Sequence, residues 1–117
     1  AGRAYLAACE TRECEIILDL LRSENLLEDQ PFLQGRWLDE HLVEYAKQGY
    51  ATRGPRTFRP KTSSLAVPIL QNDRVVGCLS IIWITKAVTM ADATARYMNS
   101  LKNLATEIGE ELARPLV

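Results

Sequence analysis

"SSLAVPILQNDRVVGCLSIIW", residues 63–83, carries the strongest structural signal in the chain. Leu65, Val67 and Ile69 alternate with Ser64, Ala66 and Pro68, the period-2 spacing of a strand with two different faces. Gln71-Asn72-Asp73-Arg74 is a short polar turn, and Val75 to Ile84 is a second strand, β-branched and almost wholly apolar. The two strands make an antiparallel hairpin. Pro68 offers no backbone N–H to a ladder, so its side of the strand is read as an edge or a bulge.

Towards the N-terminus, "GYATR" (49–53) is a short strand, and Arg36 to Gln48 reads as a helix. Trp37, Leu38, His41, Leu42 and Tyr45 share one face of it, Asp39, Glu40, Glu44 and Lys47 lie mostly on the other, and Gly49 is a natural stop. "SENLLEDQPFLQG" (23–35) is a connector, and Gly2 to about Arg22 is helical with a break near Thr11, a fair N-cap. Beyond the hairpin, Met90 to Ala113 is a helix with Tyr97, Leu101, Leu104, Ile108 and Leu112 in one stripe. The order is helix, helix, strand, loop, strand, strand, helix. This predicts an α+β domain with an antiparallel sheet flanked by helices. A hairpin with one short strand is a poor sheet, so further strands are expected upstream of Ala1.

The 117 residues suit one domain with a modest core, and 47% hydrophobic with 25% charged residues is ordinary for a globular chain. A formal net charge of −1 gives no global attraction to DNA or an anionic membrane. The longest apolar run, Leu79 to Ile84, is far too short to span a bilayer. The opening "AGRAYLAACE" lacks the pattern of a signal peptide and reads as a cut inside a larger protein. Cys9, Cys14 and Cys78, with the single His41, fit no zinc spacing; they are expected to be unpaired and mostly buried, with Cys9 and Cys14 on different helix faces, in a reducing, cytoplasmic compartment.

Charge is concentrated in "TRGPRTFRPK" (52–61), where Arg53, Arg56, Arg59 and Lys61 occur with no acid. The functional reading is a clamp for a carboxylate, which guanidinium groups meet bidentately; the alternative is a solvated loop whose arginines pair with nearby acids. Ser80 lies mid-strand with Cys78 and Ile82 on one face, and Ser64 on the preceding strand is expected on the same side. Two hydroxyls on an apolar wall beside arginines suit a small organic acid, with Tyr50, Cys78 and Ile82 flanking its apolar body. No nucleophile elbow, acid/base pair or phosphate loop occurs, so no catalytic residue, metal or cofactor is assigned and an enzyme is not expected.

"GRAYLAACETRE", "LDEHLVEYAKQGYATR" and "SSLAVPILQNDRVVGCLSIIW" together resemble the C-terminal effector-binding domain of IclR-type bacterial transcription regulators. The shared features are Gly2–Ala8, Gly49–Ala51, Ala66–Ile69, Asp73–Val76 and Cys78–Ile81, in that order, over nearly the whole chain. The resemblance implies a GAF/profilin-like domain that binds a small metabolite, commonly a carboxylic acid, in a homodimer or tetramer. It implies that residues 1–117 are most of one such domain, N-terminally truncated, and that DNA is touched only through a winged helix-turn-helix domain absent here. Ala1 and Gly2 match backbone that faces the effector. Arg53 departs from relatives that carry an acid, Ser64 replaces a ligand-contacting cysteine, Ser80 matches a ligand-facing serine, and Ile82 replaces a second one. Arginine in and serine out implies a carboxylate with a larger apolar body, most like the effectors of regulators of aromatic acid (phenylpropionate-type) breakdown. A GAF-like signalling module, or an oligomerisation module without such a ligand, is the other reading.

Overall fold

The computed structural model describes residues 1–24, 26, 33, 36–54 and 61–114, with the backbone alone at Trp37. Among these residues the chain runs α1 (Gly2–Ala8), α2 (Thr11–Glu24), α3 (Trp37–Gln48), β1 (Ala51–Arg53), β2 (Thr62–Gln71), β3 (Arg74–Ile84) and α4 (Met90–Ala113). The strands form one antiparallel sheet in the order β1-β2-β3. The expected α+β class and flanking helices are therefore what the chain adopts.

The hairpin turn has two residues. Asn72 and Asp73 both take positive φ, 51° and 65°, and Gln71 pairs with Arg74. This is a type I′ connection, whose twist matches the strands and which Asn and Asp tolerate. Further along, Ile69 faces Gly77 while Leu70 faces Val75, so Val76 is an extra residue in β3. Pro68 stands next to this bulge and beyond the end of β1, whose Ala51 pairs with Ala66.

β2 is the central strand, and Leu65, Ala66 and Val67 are essentially inaccessible. On one face of the sheet, Leu65, Val67 and Ile69 pack under α4 with Ala93, Met98, Leu101 and Ala105. Thr89 caps that helix by accepting from the Asp92 N–H at 3.1 Å, and the Trp83 indole N–H donates to the Val88 carbonyl at 2.9 Å. On the opposite face, Ala51 and Ala66 pack against Ala4 of α1 and Tyr45 of α3. We call this the α1 face. It is thinner because alanines line it.

Several local expectations are corrected. The helix break falls at Cys9 and Glu10, so Thr11 is the first residue of α2 and not its N-cap; the Cys14 N–H donates to the Glu10 carbonyl. In α4 the apolar stripe is only partly the buried face. Leu101 and Ile108 pack inward, but Tyr97, Leu104 and Leu112 are exposed while Ala93, Ala105 and Gly109 are buried. Small residues let the helix axis approach β2, which apolar periodicity does not register. α3 follows its predicted pattern, with Leu38 and Tyr45 buried and Gly49 closing it in the left-handed conformation at φ 83°.

Candidate functional site

Register sets the geometry of the α1 face. Arg53 of β1, Ser64 of β2 and Ile82 of β3 are direct partners in one row. Ala51, Ala66 and Ser80 form the next row, and Pro68 with Cys78 the one after. Directly opposed residues point to the same side, so Arg53, Ser64, Cys78, Ser80 and Ile82 share this face. Ser64 is buried, whereas Ser80 is exposed and Ile82 is 67% exposed on the outer strand.

The start of α1 lies over the same face. The Cys78 thiol donates to the Ala1 carbonyl at 3.3 Å. Arg3 donates through Nη1 to the Thr52 carbonyl at 3.0 Å, and the Tyr45 hydroxyl donates to that same carbonyl at 3.3 Å. The Arg3 bond ties the beginning of α1 to β1 at Thr52, the neighbour of Arg53.

Arg53 is not turned to bulk water. Its Nη1 donates to the Thr62 carbonyl at 3.0 Å and its Nη2 to the Thr62 hydroxyl at 2.9 Å. The guanidinium is thereby held along β2, beside Ser64. Arg56 and Arg59, the loop's other arginines, lie outside the described residues. The cysteines are all unpaired, as expected, but half-buried. Burial raises the pKa of Cys78, so it is a poor nucleophile at neutral pH.

One expected member is not part of this group. Tyr50 precedes Ala51, so by alternation it points to the other face, where it packs against the α4 core under the Lys102 ammonium at 5.5 Å from its ring centre. Reading residues only along the sequence placed Tyr50 with its neighbours; the one-residue parity of β1 turns it away. Sequence reasoning missed Arg3 and Thr62. An arginine in the first turn of a helix, where a cation opposes the dipole, was the available signal for Arg3. Two cavities of about 590 and 290 Å³ open beside the hairpin turn, lined by residues such as Gly49, Pro68, Leu70 and Asp73; Arg53, Ser64 and Ser80 line neither. Among the described residues no group of three or more His, Cys, Asp or Glu is placed to hold a metal, and no helix is long and apolar enough to cross a membrane.

No protein-family model matches the sequence. Solved structures do match. One is the IclR of Thermotoga maritima, 24% identical, with a TM-score of 0.75 over 97% of this chain and 45% of that one. Another is an IclR family transcriptional regulator from Brucella abortus, 22% identical, with a TM-score of 0.74 over 95% of this chain and 41% of that one. A third is a double mutant of the PobR transcription factor inducer binding domain from Acinetobacter, in complex with 3-hydroxybenzoic acid, 17% identical, with a TM-score of 0.74 over 92% of this chain and 61% of that one. The chain spans less than half the length of the first two. A three-stranded antiparallel sheet, with α1 on one side and α4 on the other, is thus a fold this chain shares with part of the IclR-type regulators.

Proposed function

We propose that the chain is the greater part of the effector-binding domain of an IclR-type transcription regulator, and that its α1 face binds a small carboxylic acid, of aromatic type. The observation that carries this is the row Arg53–Ser64–Ile82, which sets a fixed guanidinium, a hydroxyl and an apolar side chain in line next to the start of α1. Arg53 meets the carboxylate, and Arg56 joins it from the adjoining loop. Ser64 and Ser80 meet polar atoms of the ligand, the Ala1–Gly2 backbone borders it, and Cys78 and Ile82 flank its ring. That the Acinetobacter neighbour is an inducer binding domain complexed with an aromatic acid supports this choice of ligand class.

The chain's role is then sensing and not catalysis. Binding shifts the arrangement of a cytoplasmic homodimer or tetramer, and with it the DNA affinity of a winged-helix domain elsewhere in the full-length protein. The test is a thermal-shift series with benzoate, 3-hydroxybenzoate and phenylpropionate, using glyoxylate as a small non-aromatic control. A ligand that binds only the folded state stabilises by about 2.7 kcal/mol at a hundredfold excess over Kd. A Tm that rises with an aromatic acid in the wild type and not in Arg53→Ala supports the reading. No shift with any of them overturns it.

A second reading has an observation of its own. Ile82 and Ile84 on the outer strand are 67% and 65% exposed, which favours a protein surface covering this face, as in an oligomerisation or GAF-like signalling module. Under that reading Ile82→Ser weakens self-association in sedimentation, and no acid changes the Tm.

A further inference from the structure

We propose that the smaller cavity beside the hairpin turn is a binding site for a small organic ammonium ion, with Asp73 as its counter-ion. The opening is a consequence of strand length. β1 has three residues and meets β2 with Ala51 opposite Ala66. β2 runs on to Gln71, and β1 is its neighbour on that side, so Val67 to Gln71 have no strand beside them there among the described residues. α1 borders this gap with Ala4, Ala7 and Ala8, and α3 borders it with Ala46. None of these side chains extends beyond Cβ, so the gap is left unfilled, as a cavity of about 290 Å³.

Wall and rim differ in chemistry. The wall is apolar, made by the four alanines with Pro68 and Leu70 of β2. Leu70 is 44% exposed, apolar surface that the body of a ligand would cover. Asp73 is the one charged residue lining the cavity among the described residues, and it is exposed, at the rim. Its positive φ of 65° belongs to the two-residue turn, so the hairpin itself sets where the carboxylate stands. The ion pairs among the described residues join Arg22 to Asp19 and Arg114 to Glu111, and Asp73 is in neither. Lys102 lines only the larger cavity; its ammonium donates to the Gln48 carbonyl at 3.2 Å and stands over the Tyr50 ring.

An apolar wall with a single carboxylate at its rim selects an apolar body that carries one positive charge. A carboxylic acid would set like charge against Asp73, and a neutral body would leave that carboxylate without a partner. The volume sets the size. It lies at the lower end of the range of about 300–1,000 Å³ that ligand cavities occupy, which suits one ring with a short arm. The site is opposite in charge to the one proposed on the α1 face and does not rest on it, since Arg53, Ser64 and Ser80 do not line the cavity.

The experiment is a titration of the isotope-labelled chain, followed at its backbone amides by NMR, with three probes of similar shape: phenethylammonium, neutral 2-phenylethanol and anionic 3-phenylpropionate. Phenethylammonium should give saturable shifts at Gly49 and Asp73. It should bind there about fivefold tighter than 2-phenylethanol, the upper end for an ion pair open to water, and added salt should narrow that margin. 3-Phenylpropionate should leave Gly49 and Asp73 in place. Asp73→Asn puts in a side chain that tolerates positive φ, so the turn is kept and the margin over 2-phenylethanol should vanish. Ala46→Leu, at an exposed helix position where leucine is a good helix former, fills the cavity and should abolish the shifts at an unchanged Tm. No saturable shift with phenethylammonium, equal binding of 2-phenylethanol, an Asp73→Asn chain that still prefers the ammonium, undiminished binding in Ala46→Leu, or shifts centred on Arg53 would each overturn the proposal.

Discussion

Gly109 offers a sharp test of how α4 sits on the sheet. A Cβ built at this position lies 2.2 Å from the Leu70 carbonyl oxygen and 3.2 Å from its carbon, whereas real Cβ atoms essentially never come within 3.0 Å of another heavy atom. In an exposed helix Gly109→Ala would add about 1 kcal/mol of stability from propensity. Here two facts oppose that gain. Leu70 O is backbone in the central strand, paired with Val75, so it cannot rotate aside as a side chain would. The C-terminal half of α4 must instead lift by about 0.8 Å, the difference between 2.2 and 3.0 Å, which loosens Ala105 and Ile108 on the core. Overpacking of this kind costs about 1–3 kcal/mol, and the loosened packing of those two side chains adds to it. The net expectation is a loss of about 1–2 kcal/mol, with Tm falling about 4 °C per kcal/mol in a domain of this size. Urea and thermal melts of wild type, Gly109→Ala and Gly77→Ala measure it. A Cβ on Gly77 would meet nothing within 4 Å, so that variant should be neutral or slightly more stable. Gly109→Ala as stable as the wild type, or stabler by about the propensity gain, would refute the close seating of α4 over Leu70.

Arg53→Ala should weaken binding of an aromatic acid about tenfold or more, since a charge-assisted hydrogen bond is worth about 1.5–3 kcal/mol; an unchanged Kd by calorimetry removes Arg53 from the site. Because Arg53 also makes two hydrogen bonds to Thr62, the fold should lose about 1 kcal/mol as well, where the sequence alone predicts little loss; an unaltered urea midpoint would contradict those bonds. Deleting Val76, the extra residue of β3, should abolish cooperative unfolding or lower the Tm by more than Gly109→Ala does; a wild-type melt means the bulge carries no register. Alkylation of Cys9 by iodoacetamide should quicken about tenfold per pH unit from neutral pH upward, levelling only near the raised pKa of about 11. A raised thiol pKa leaves less thiolate at every pH below it, so a plateau near the ordinary cysteine value of about 8.5 would show that Cys9 is not buried as described.

The parts of the fold that follow from local chemistry were legible in the sequence. The strand period of 65–69, the left-handed stop at Gly49 and the bounds of α4 each depend on residues close in the chain. What was not legible depends on distance of approach between elements. The α4 stripe misassigned Tyr97, Leu104 and Leu112 because hydrophobic size is visible in a sequence, while the room left by Ala105 and Gly109 under a helix is not. The break in the N-terminal helical stretch, expected near Thr11, falls at Cys9 and Glu10 instead. The no-acid character of the basic loop singled out Arg53, but its hold on Thr62 requires β1 and β2 to pair, a contact the linear order does not display.

The placement of Ser64 and Ser80 on one face has a cause that a two-residue turn alone does not supply. Continuing the pairing of Gln71 with Arg74 and Leu70 with Val75 along an unbroken ladder would set Ser64 opposite Ile81. Ser80 would then point to the α4 side, and Ile81 would leave the core for the α1 face, since opposed residues share a side and a one-residue slip exchanges the faces. The extra residue, Val76, shifts the ladder by one, so that Ser64 meets Ile82 and Ala66 meets Ser80. It returns Leu79, Ile81 and Trp83 to the α4 core in the same step. Pro68, which cannot donate to a ladder, stands one residue before the irregularity between Ile69 and Leu70. The hydrophobic pattern of β3 and the polar pair on the α1 face are therefore satisfied by the same bulge. Burial of Leu79, Ile81 and Trp83 enforces the register, and the two hydroxyls come to one side as its geometric consequence.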